Sequence, residues 1–422
     1  MTGLLPWWFR PANRERKGSC FVPSSALCYG SLEQACLLVS SARPGGIKEE
    51  GRKGPVLEDH SAELIITLLG FLGGVILGFA ARTAQFCTLG AIEECYYGSE
   101  RTRLRTWLLA IGVAVALTQF LHIAGLVDLS RSFRLGSQIP WFGAIFGGVL
   151  FGFGMALVGT CAFGMLVRLG GGDMRALIST LTVGIVGFMT MSGIFARWRL
   201  EYVDSIAIEL PPLSRQGLND LLFGPSLQGR ILVTVAVVLA TAGWALSRRR
   251  YRRNIVQVLA GIAIGATIAW GWFITSTFGQ DQFYPHQPES YSFVRPIGQA
   301  LLWLMTASGS SASFLIGGVF GVPAGAFLAA WRKGEVHWEA FDDAREMRRH
   351  LAGSALMGAG GIMALGCTIG QGMTGIAALS LTSFIALAGI VIGALIGIRY
   401  LVEGHIPDLC RLVSRLFPPR ES

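Results

Sequence analysis

Eight apolar segments follow one another from residue 63 onward, and each is about as long as a helix needs to cross roughly 30 Å of hydrocarbon. They lie near residues 63–81, 106–127, 141–160, 176–196, 229–247, 256–275, 311–331 and 376–400. A shorter Gly-rich segment lies near 351–366, and 297–306 is a partial one. The runs are continuous and not alternating, which favours helices over the strands of a barrel. The pattern predicts an all-α polytopic membrane protein with about nine transmembrane helices.

The two ends of the chain lack this pattern. Residues 1–60 contain prolines and mixed charges, but no apolar run of spanning length and no signal-peptide core. We expect them to form a poorly ordered N-terminal extension. Residues 61–405 are then the transmembrane domain, and residues 406–422 are a C-terminal tail.

Composition and charge agree with a membrane protein. Hydrophobic residues make up 52% of the 422 residues and charged residues 14%, whereas soluble domains carry about 25% charged residues. The net charge of +9 lies in short connections between apolar segments, so it does not indicate nucleic acid as a partner. Such a distribution is typical of the positive-inside bias. Arginine clusters at 101–105, 248–253 and 332–349 are therefore predicted to be cytoplasmic, and 201–228 and 276–296 to lie outside.

A repeated Cys-x-x-Gly tetrapeptide is the most informative motif. It occurs at Cys87–Gly90, Cys161–Gly164 and Cys367–Gly370, each time after a Gly-rich apolar stretch. Glycine lets the chain turn within the bilayer, where non-helical backbone is tolerated only against protein or a water-filled cavity. A short helix that begins at the cysteine directs its free N–H groups into that cavity, and the thiol adds a soft, weak donor. The motif predicts a site for an anion with a terminal sulfur, although such cysteines also pack as small hydrophobes.

The predicted topology relates the two halves of the chain. The chain approaches Cys161 from outside and Cys367 from inside, so the halves 63–196 and 256–400 are expected to be pseudo-symmetric and inverted. Inverted repeats with re-entrant half-helices that meet at the bilayer midplane are typical of transporters. The second-half position that matches Cys87 is predicted near Trp272–Gly279, where hydroxyl residues replace the thiol.

Three segments also carry a resemblance to a known family. They are Arg82-Thr-Ala-Gln-Phe-Cys87-Thr, Gly159-Thr-Cys161-Ala-Phe-Gly164-Met-Leu-Val-Arg168-Leu-Gly-Gly-Gly172 and Gly366-Cys367-Thr-Ile-Gly-Gln371-Gly-Met-Thr-Gly375. These segments resemble the YeeE/YedE sulfur-transport family, and the similarity extends over roughly residues 63–400.

The resemblance implies a function and a fold. It implies uptake of thiosulfate across the bacterial inner membrane through an hourglass-like helical fold, with Cys87, Cys161 and Cys367 relaying the anion. A TusA-like sulfur carrier is implied as a cytoplasmic partner. Some members of the family are linked to selenium metabolism, so a selenium species is an alternative substrate.

Several polar side chains near the motifs have two interpretations each. Arg82 and Arg168 either attract an anion at a mouth of the path or extend to the membrane interface. Gln371 either donates to an oxyanion or braces the re-entrant helix, and we favour bracing. His122 either couples transport to protons or is structural, and we favour the structural role.

The remaining candidates are assigned no part in the path. Glu93 and Glu94 are expected at the cytoplasmic surface, because a buried carboxylate repels an anion. Cys95 and Cys410 are expected to be bystanders. The polar segment 332–350 is a cytoplasmic loop or short surface helix, or alternatively a docking patch for a soluble partner.

Two other classes of function compete with transport. A membrane thiol–disulfide or sulfurtransferase enzyme needs a reactive thiolate and a resolving cysteine, and the chain has no CxxC. A protein that only anchors a partner would not need the three cysteines. The sequence contains neither a phosphate-binding GxxxxGK[ST] loop nor an HExxH pair, so we expect no ATP hydrolysis, no metal and no cofactor.

Overall fold

The computed structural model describes residues 56–98, 101–209, 216–224, 226–278, 287–308, 310–341 and 343–403. Its longer helices are α1 (Val56–Thr83), α2 (Thr88–Tyr96), α3 (Thr102–Ile123), α4 (Trp141–Val158), α5 (Ala162–Gly170) and α6 (Met174–Met191). The connecting region contains α7 (Ala196–Trp198), α8 (Leu218–Phe223), α9 (Leu227–Val238), α10 (Trp244–Leu246) and α11 (Arg249–Arg253). The last part contains α12 (Ile255–Phe278), α13 (Val294–Thr306), α14 (Phe314–Lys333), α15 (Ala344–Met363), α16 (368–377) and α17 (Leu381–Glu403).

The minor elements are short. Two-residue strands β1 (Gln138–Ile139) and β2 (Ile208–Glu209) pair antiparallel. The 3-10 turns Leu129–Arg131 and Phe133–Leu135 lie between α3 and α4. π-Helical stretches follow α7, join α9 to α10, and form the middle of α16; they span Arg199–Asp204, Leu239–Gly243 and Gly370–Gly375.

The prediction of an all-α polytopic membrane protein is confirmed. Within the described residues, eight helices are long and apolar enough to cross a membrane, and they coincide with the eight predicted segments. The Gly-rich segment predicted near 351–366 belongs to α15, whose first turns are charged, and α15 is not among these eight. Helix α1 begins at Val56, before the predicted boundary at residue 61. The C-terminal tail and most of the N-terminal extension lie outside the described residues.

Glycines let long helices pack backbone against backbone. A Cβ on Gly70 would lie 2.1 Å from the Phe314 carbonyl oxygen, and one on Gly78 would lie 2.0 Å from that of Val322. Helices α1 and α14 therefore run parallel in direct contact. Small residues produce such close approaches in membrane helix pairs. Helices α4 and α17 pack in the same way, also parallel, with Gly152 against the Ile390 carbonyl.

The helix pairs repeat in an inverted arrangement. The parallel pair α1 and α14 has a counterpart in α12 and α3, and the pair α4 and α17 has one in α15 and α6. Helices α4 and α15 are antiparallel, because Gly147 faces Gly360 and Gly154 faces Gly353. Helices α1–α6 thus correspond to α12–α17, and each half packs its long helices on the other half.

One predicted correspondence is wrong. The sequence predicts the match to Cys87 near Trp272–Gly279, but α12 runs as a continuous helix through Phe278. The short helix that corresponds to α2 is α13, and the residue before it is Phe293. Thr275, one of the hydroxyl residues of this stretch, donates to the Gly271 carbonyl of its own helix. The apolar run of α12 ends before the chain turns back into the protein. Hydropathy alone therefore points to the end of α12 and not to the start of α13.

The helix ends form two opposite faces. The basic face carries the arginine clusters: Arg105 caps the carbonyls of Trp244 and Ala245, and Arg82 pairs with Glu335. The distal face contains the 3-10 turns and the strands, and the segment 287–293 leads from it into the protein, where residues 290–293 are buried. The three arginine clusters thus lie on one side, as the topology prediction required.

Candidate functional site

The three cysteine motifs share a backbone turn. Two residues before each cysteine, the chain adopts a left-handed conformation, at Gln85 (φ 51°), Gly159 (φ 81°) and Leu365 (φ 57°). This residue ends helices α1, α4 and α15 respectively. After α1 and α15, the N–H of the residue that follows the turn donates to the carbonyl five residues earlier, which is the Schellman pattern. After α4, the N–H of Gly159 itself donates to the carbonyl four residues earlier, which is the simpler cap.

The spacing within Cys-x-x-Gly has a structural reason. The Cys161 sulfur accepts from the Gly164 N–H at 3.4 Å, and the Cys367 sulfur accepts from the Gly370 N–H at 3.3 Å. The thiol therefore occupies the N-cap position and satisfies a free donor of the following short helix. Cys87 has extended backbone at the same position, but its side chain makes no cap bond.

The glycine of each motif is required for packing as well. A Cβ on Gly164 would lie 2.0 Å from the Thr160 hydroxyl oxygen, and one on Gly370 would lie 2.6 Å from the Ser292 hydroxyl oxygen. A Cβ on Gly90 would lie 2.5 Å from the Arg103 guanidinium. A larger residue at any of these positions would displace a polar neighbour.

The structure brings the three cysteines together. Cys161 and Cys367 are buried in one core cluster, and the half-buried Cys87 packs against it. Cys161 is close enough to Cys87 and Cys367 to interact with both electrostatically, and it adjoins Thr368. Helices α2 and α5 run from this centre toward the basic face, whereas α16 runs toward the distal face. Three helix N-termini therefore converge from the two halves.

Two hydroxyls at this centre lack partners. Thr88 follows Cys87 and Thr368 follows Cys367, and the hydroxyl of each is buried without a hydrogen bond of good geometry. A buried unsatisfied hydroxyl costs about 1–3 kcal/mol. Such groups in a native structure indicate an unfilled role, for example in contacting a polar ligand.

An extended segment forms another wall of the centre. Residues 290–293 are buried, and the Tyr291 carbonyl accepts from the Thr374 hydroxyl of α16 at 2.7 Å. The ring of Phe293 packs on that of Phe163 in α5, with centroids 5.1 Å apart. Sequence patterns gave no signal for this segment, because it is neither apolar enough for a span nor part of a motif.

Gln371 is fully engaged in internal hydrogen bonds. Its amide nitrogen donates to the Ala364 carbonyl at 2.5 Å, and its oxygen accepts from the Ser383 hydroxyl at 2.6 Å and from Arg134 at 3.2 Å. These contacts tie α16 to the turn that precedes it, so they favour the bracing interpretation. Arg134, which sequence analysis missed, is 237 residues from Gln371 in the chain and 5% exposed.

The two predicted path arginines lie nearer the basic face. Arg82 pairs with Glu335 at 3.7 Å and touches Gly171. Arg168 donates to the Gly159 carbonyl at 3.0 Å, which braces the turn before Cys161. The structure does not place either arginine in contact with a thiol, and their action on an anion stays a prediction.

The remaining candidates lie away from the centre. The His122 ring is bonded to the Val127 carbonyl at 2.7 Å, in keeping with a structural role. Glu93 and Cys95 are exposed, and Glu94 pairs with Arg103 at 3.3 Å near the basic face. Cys410 lies outside the described residues.

The predicted loop 332–350 is partly helical. It contains the end of α14 and the start of α15. Between them the chain is tied to residues 171–175, partly through an ion pair of Arg175 and Glu339. Trp338 is 79% exposed, whereas Phe341 packs on His350.

The arrangement can hold an anion without a metal. Among the described residues, no group of three metal-ligating side chains comes together. The centre offers free N–H groups at helix N-termini, thiols and hydroxyls, all of which are donors. Helix N-termini favour negative charge, and thiols are soft, weak donors.

Comparisons with known proteins agree with this chemistry. The family model Sulf_transp, described as "Sulphur transport", matches residues 83–396. The chain is 27% identical over 343 residues to the thiosulfate transporter TsuA of Escherichia coli (strain K12), covering 77% of this chain and 92% of that protein. It is 23% identical over 335 residues to the thiosulfate transporter TsuA of Spirochaeta thermophila, covering 77% and 95% respectively.

Proposed function

Because the chain belongs to the sulphur transport family, whose matched relatives are transporters and not enzymes, we propose that it imports thiosulfate across a bacterial inner membrane. The family match spans both halves and includes all three cysteine motifs.

The observation that carries the proposal is the convergence of three short-helix starts at Cys87, Cys161 and Cys367, of which the last two are capped by their thiols. Thiosulfate is an anion with a terminal sulfur. Its charge is stabilised by the N–H groups of α2, α5 and α16, so no lysine is needed at the centre. The thiols contact its sulfur through weak S–H donation.

Passage requires that no single contact is strong, because a tight site traps the ion. Cys87, Cys161 and Cys367 therefore act in succession. The Thr88 and Thr368 hydroxyls, unsatisfied in the protein itself, donate to the anion in transit. No covalent bond to sulfur is required.

The positive-inside bias orients the molecule. With the basic face in the cytoplasm, the anion arrives at the distal face and leaves near Arg82 and Arg168, which attract it at the inner mouth. A TusA-like sulfur carrier then receives the imported anion on the basic face. The exposed Trp338, between α14 and α15, is a suitable contact for such a partner.

The test is uptake of labelled thiosulfate by proteoliposomes that contain the full chain. Saturable uptake is expected for the parent protein and loss of uptake for Cys161→Ala, because that change removes both the buried thiol and the cap of α5. Cys95→Ala is the matched control, since Cys95 is exposed near the basic face and outside the cluster. No uptake by the well-folded parent, or equal uptake by Cys161→Ala, would contradict the proposal.

Two further measurements separate the alternatives. Mass spectrometry of the transporting protein is expected to show no sulfur bound covalently to a cysteine; a persulfide that forms and decays at the uptake rate would contradict passive relay. Competition by sulfate, sulfite and selenite distinguishes thiosulfate from a selenium substrate. We expect unlabelled thiosulfate to compete most strongly.

A further inference from the structure

Arg134 is a buried guanidinium with an open edge. It lies on the 3-10 turn Phe133–Leu135 at the distal face, and it is 5% exposed. Its Nη1 donates to the Gln371 side-chain oxygen at 3.2 Å. Its Nε is buried without a partner. Among the described residues, no carboxylate lies within ion-pair distance of Arg134; its nearby acid, Glu289, is paired with Arg295.

The guanidinium keeps its charge in this position. Burial lowers the pKa of Arg134 to about 10, so it remains protonated at neutral pH. A buried charge without a counter-ion is costly, because taking an ion out of water loses several kcal/mol of solvation. The neutral oxygen of Gln371 compensates only in part. An arginine kept under these conditions has the properties of an anion receptor.

The open edge is close to Cys367. A Cβ on Gly370 would lie 3.5 Å from Arg134 Nη2, and the Gly370 N–H itself donates to the Cys367 sulfur at 3.3 Å. Arg134 also interacts electrostatically with Cys367. The Ser292 hydroxyl lies 2.6 Å from the same Cβ position, so a second polar group lies beside Gly370.

A cavity lies beside Phe133, the residue before Arg134 in the chain. It has a volume of about 190 Å³, and its lining includes Phe133, Thr275, Glu289, Arg295 and Ser313. The Phe133 ring contacts the Arg134 guanidinium on one side, 4.9 Å from the centroid, and that of Arg295 at 5.7 Å. The ring thus contacts both an arginine that is paired with Glu289 and one that has no ion pair among the described residues.

From these contacts we propose that Arg134 forms an outer subsite for a tetrahedral oxyanion, reached before Cys367. The Nε–Nη2 edge donates two parallel hydrogen bonds to two oxygens of the sulfonate end. This bidentate geometry is specific to arginine, and charge-assisted bonds of this kind are strong. The terminal sulfur of the ion is then directed toward the Cys367 thiol. This inference rests on the proposed function and assigns the oxyanion part of the substrate to a residue of its own.

The first experiment compares Arg134→Gln, Arg134→Lys and Arg131→Gln in proteoliposomes. Arg131 is the matched control, because it lies on the preceding 3-10 turn, is exposed and pairs with Asp128. We expect Arg134→Gln to raise the KM for thiosulfate by roughly 10- to 100-fold, since it removes a charge-assisted contact. Arg134→Lys keeps the charge but not the fork, so it should recover part of the affinity. Arg131→Gln should leave the KM unchanged.

The second experiment measures binding without transport. Thiosulfate or sulfate is titrated into the purified full chain, and the increase in melting temperature is recorded. Both anions should stabilise the parent, and neither should stabilise Arg134→Gln. Equal stabilisation of parent and variant, or a KM unchanged in Arg134→Gln, would overturn the subsite.

The two proposals fail in different ways. A parent protein that binds both anions through Arg134 but takes up no thiosulfate would contradict the transport function and support the subsite. If Arg134→Gln does not fold, a structure of the parent protein with selenate replaces it. Selenate at the Nε–Nη2 edge supports the subsite, and an edge left empty at saturating selenate overturns it.

Discussion

The first half of the molecule, α1–α6, presents thiols at two short-helix starts, whereas the second half, α12–α17, presents a thiol at one. Where Cys87 precedes α2, Phe293 precedes α13. The second half adds polar groups instead, with Gln371 and Ser383 bonded at the centre, and Gln371 also accepts from Arg134 of the first half. The repeat therefore fixes where helix starts meet, and the side chain at each start has diverged.

The hydrogen bonds that brace the turns lie at equivalent positions in the two halves, but different side chains make them. In the first half, Arg168 of α5 donates to the Gly159 carbonyl at the end of α4. In the second half, Gln371 of α16 donates to the Ala364 carbonyl at the end of α15. In both α5 and α16, one long side chain donates to a carbonyl at the end of the preceding helix. The donor is a charged arginine nearer the basic face and a neutral glutamine nearer the distal face.

The sharpest contrast between the halves is expected at the cysteines themselves. Cys367→Ala removes a buried thiol that caps α16, and we expect at least a ~10-fold fall in the initial rate of thiosulfate uptake, because loss of a cap costs ~1 kcal/mol and a substrate contact is lost as well. Cys87→Ala removes a half-buried thiol without a cap bond, and a ~2- to 5-fold fall is expected. Cys367→Ser keeps an N-cap acceptor. Compared with Cys367→Ala, it should therefore recover more of the melting temperature than of the uptake rate. A larger loss for Cys87→Ala than for Cys367→Ala would contradict this ranking of the two positions.

The unpaired hydroxyls give a smaller effect. Thr88→Val and Thr368→Val remove a buried hydroxyl that bonds to no oxygen or nitrogen, and Thr368 adjoins only the Cys161 thiol, so the free energy of unfolding should stay the same or rise by about 1 kcal/mol. Uptake should weaken, with a KM raised ~5-fold, as expected for the loss of about 1 kcal/mol of hydrogen bonding. Thermal unfolding and uptake are measured on the same preparations. A fall in stability together with an unchanged KM would show that the hydroxyls serve the fold and not the anion.

The turn residues provide the smallest effect and the most direct comparison. Leu365→Gly relieves a left-handed conformation that costs a side chain roughly 1–2 kcal/mol, whereas Gly159→Ala introduces that cost at the equivalent turn. After the entropy of glycine is subtracted, we expect a gain of about 0.5 kcal/mol for the first and a loss of about 1 kcal/mol for the second. Melting temperatures in detergent measure both. Shifts of the same sign would show that the two turns are not equivalent.

Much of the fold could be predicted from the sequence, because a bilayer requires long apolar runs. The eight segments are present as helices, and the arginine clusters lie on one face. The Cys-x-x-Gly motif was also visible, since the glycine serves a local contact within three residues of the thiol. Local geometry of this kind repeats wherever its residues repeat.

The missing parts depend on distant contacts. Arg134 reaches Gln371 across 237 positions, and no local pattern marks a single arginine in a loop as buried. The equivalent of Cys87 was misplaced, because Phe293 shares no chemistry with a cysteine and the polar residues 287–292 separate it from its span. Two positions that share a backbone arrangement but have unrelated side chains cannot be matched from a single sequence.

Because helices of each half pack directly on helices of the other half, the movements that the molecule can make are limited. Helix α1 rests on α14 and α4 on α17, with glycine backbones in van der Waals contact along several turns. Tilting one half as a rigid body would separate these seams at once, and closely packed interiors resist such shear. We therefore expect conformational change to be confined to the short helices that the long ones enclose, such as α2, α5, α13 and α16. Opening would then require the shift of a short helix or a side chain, while the outer helices stay in place.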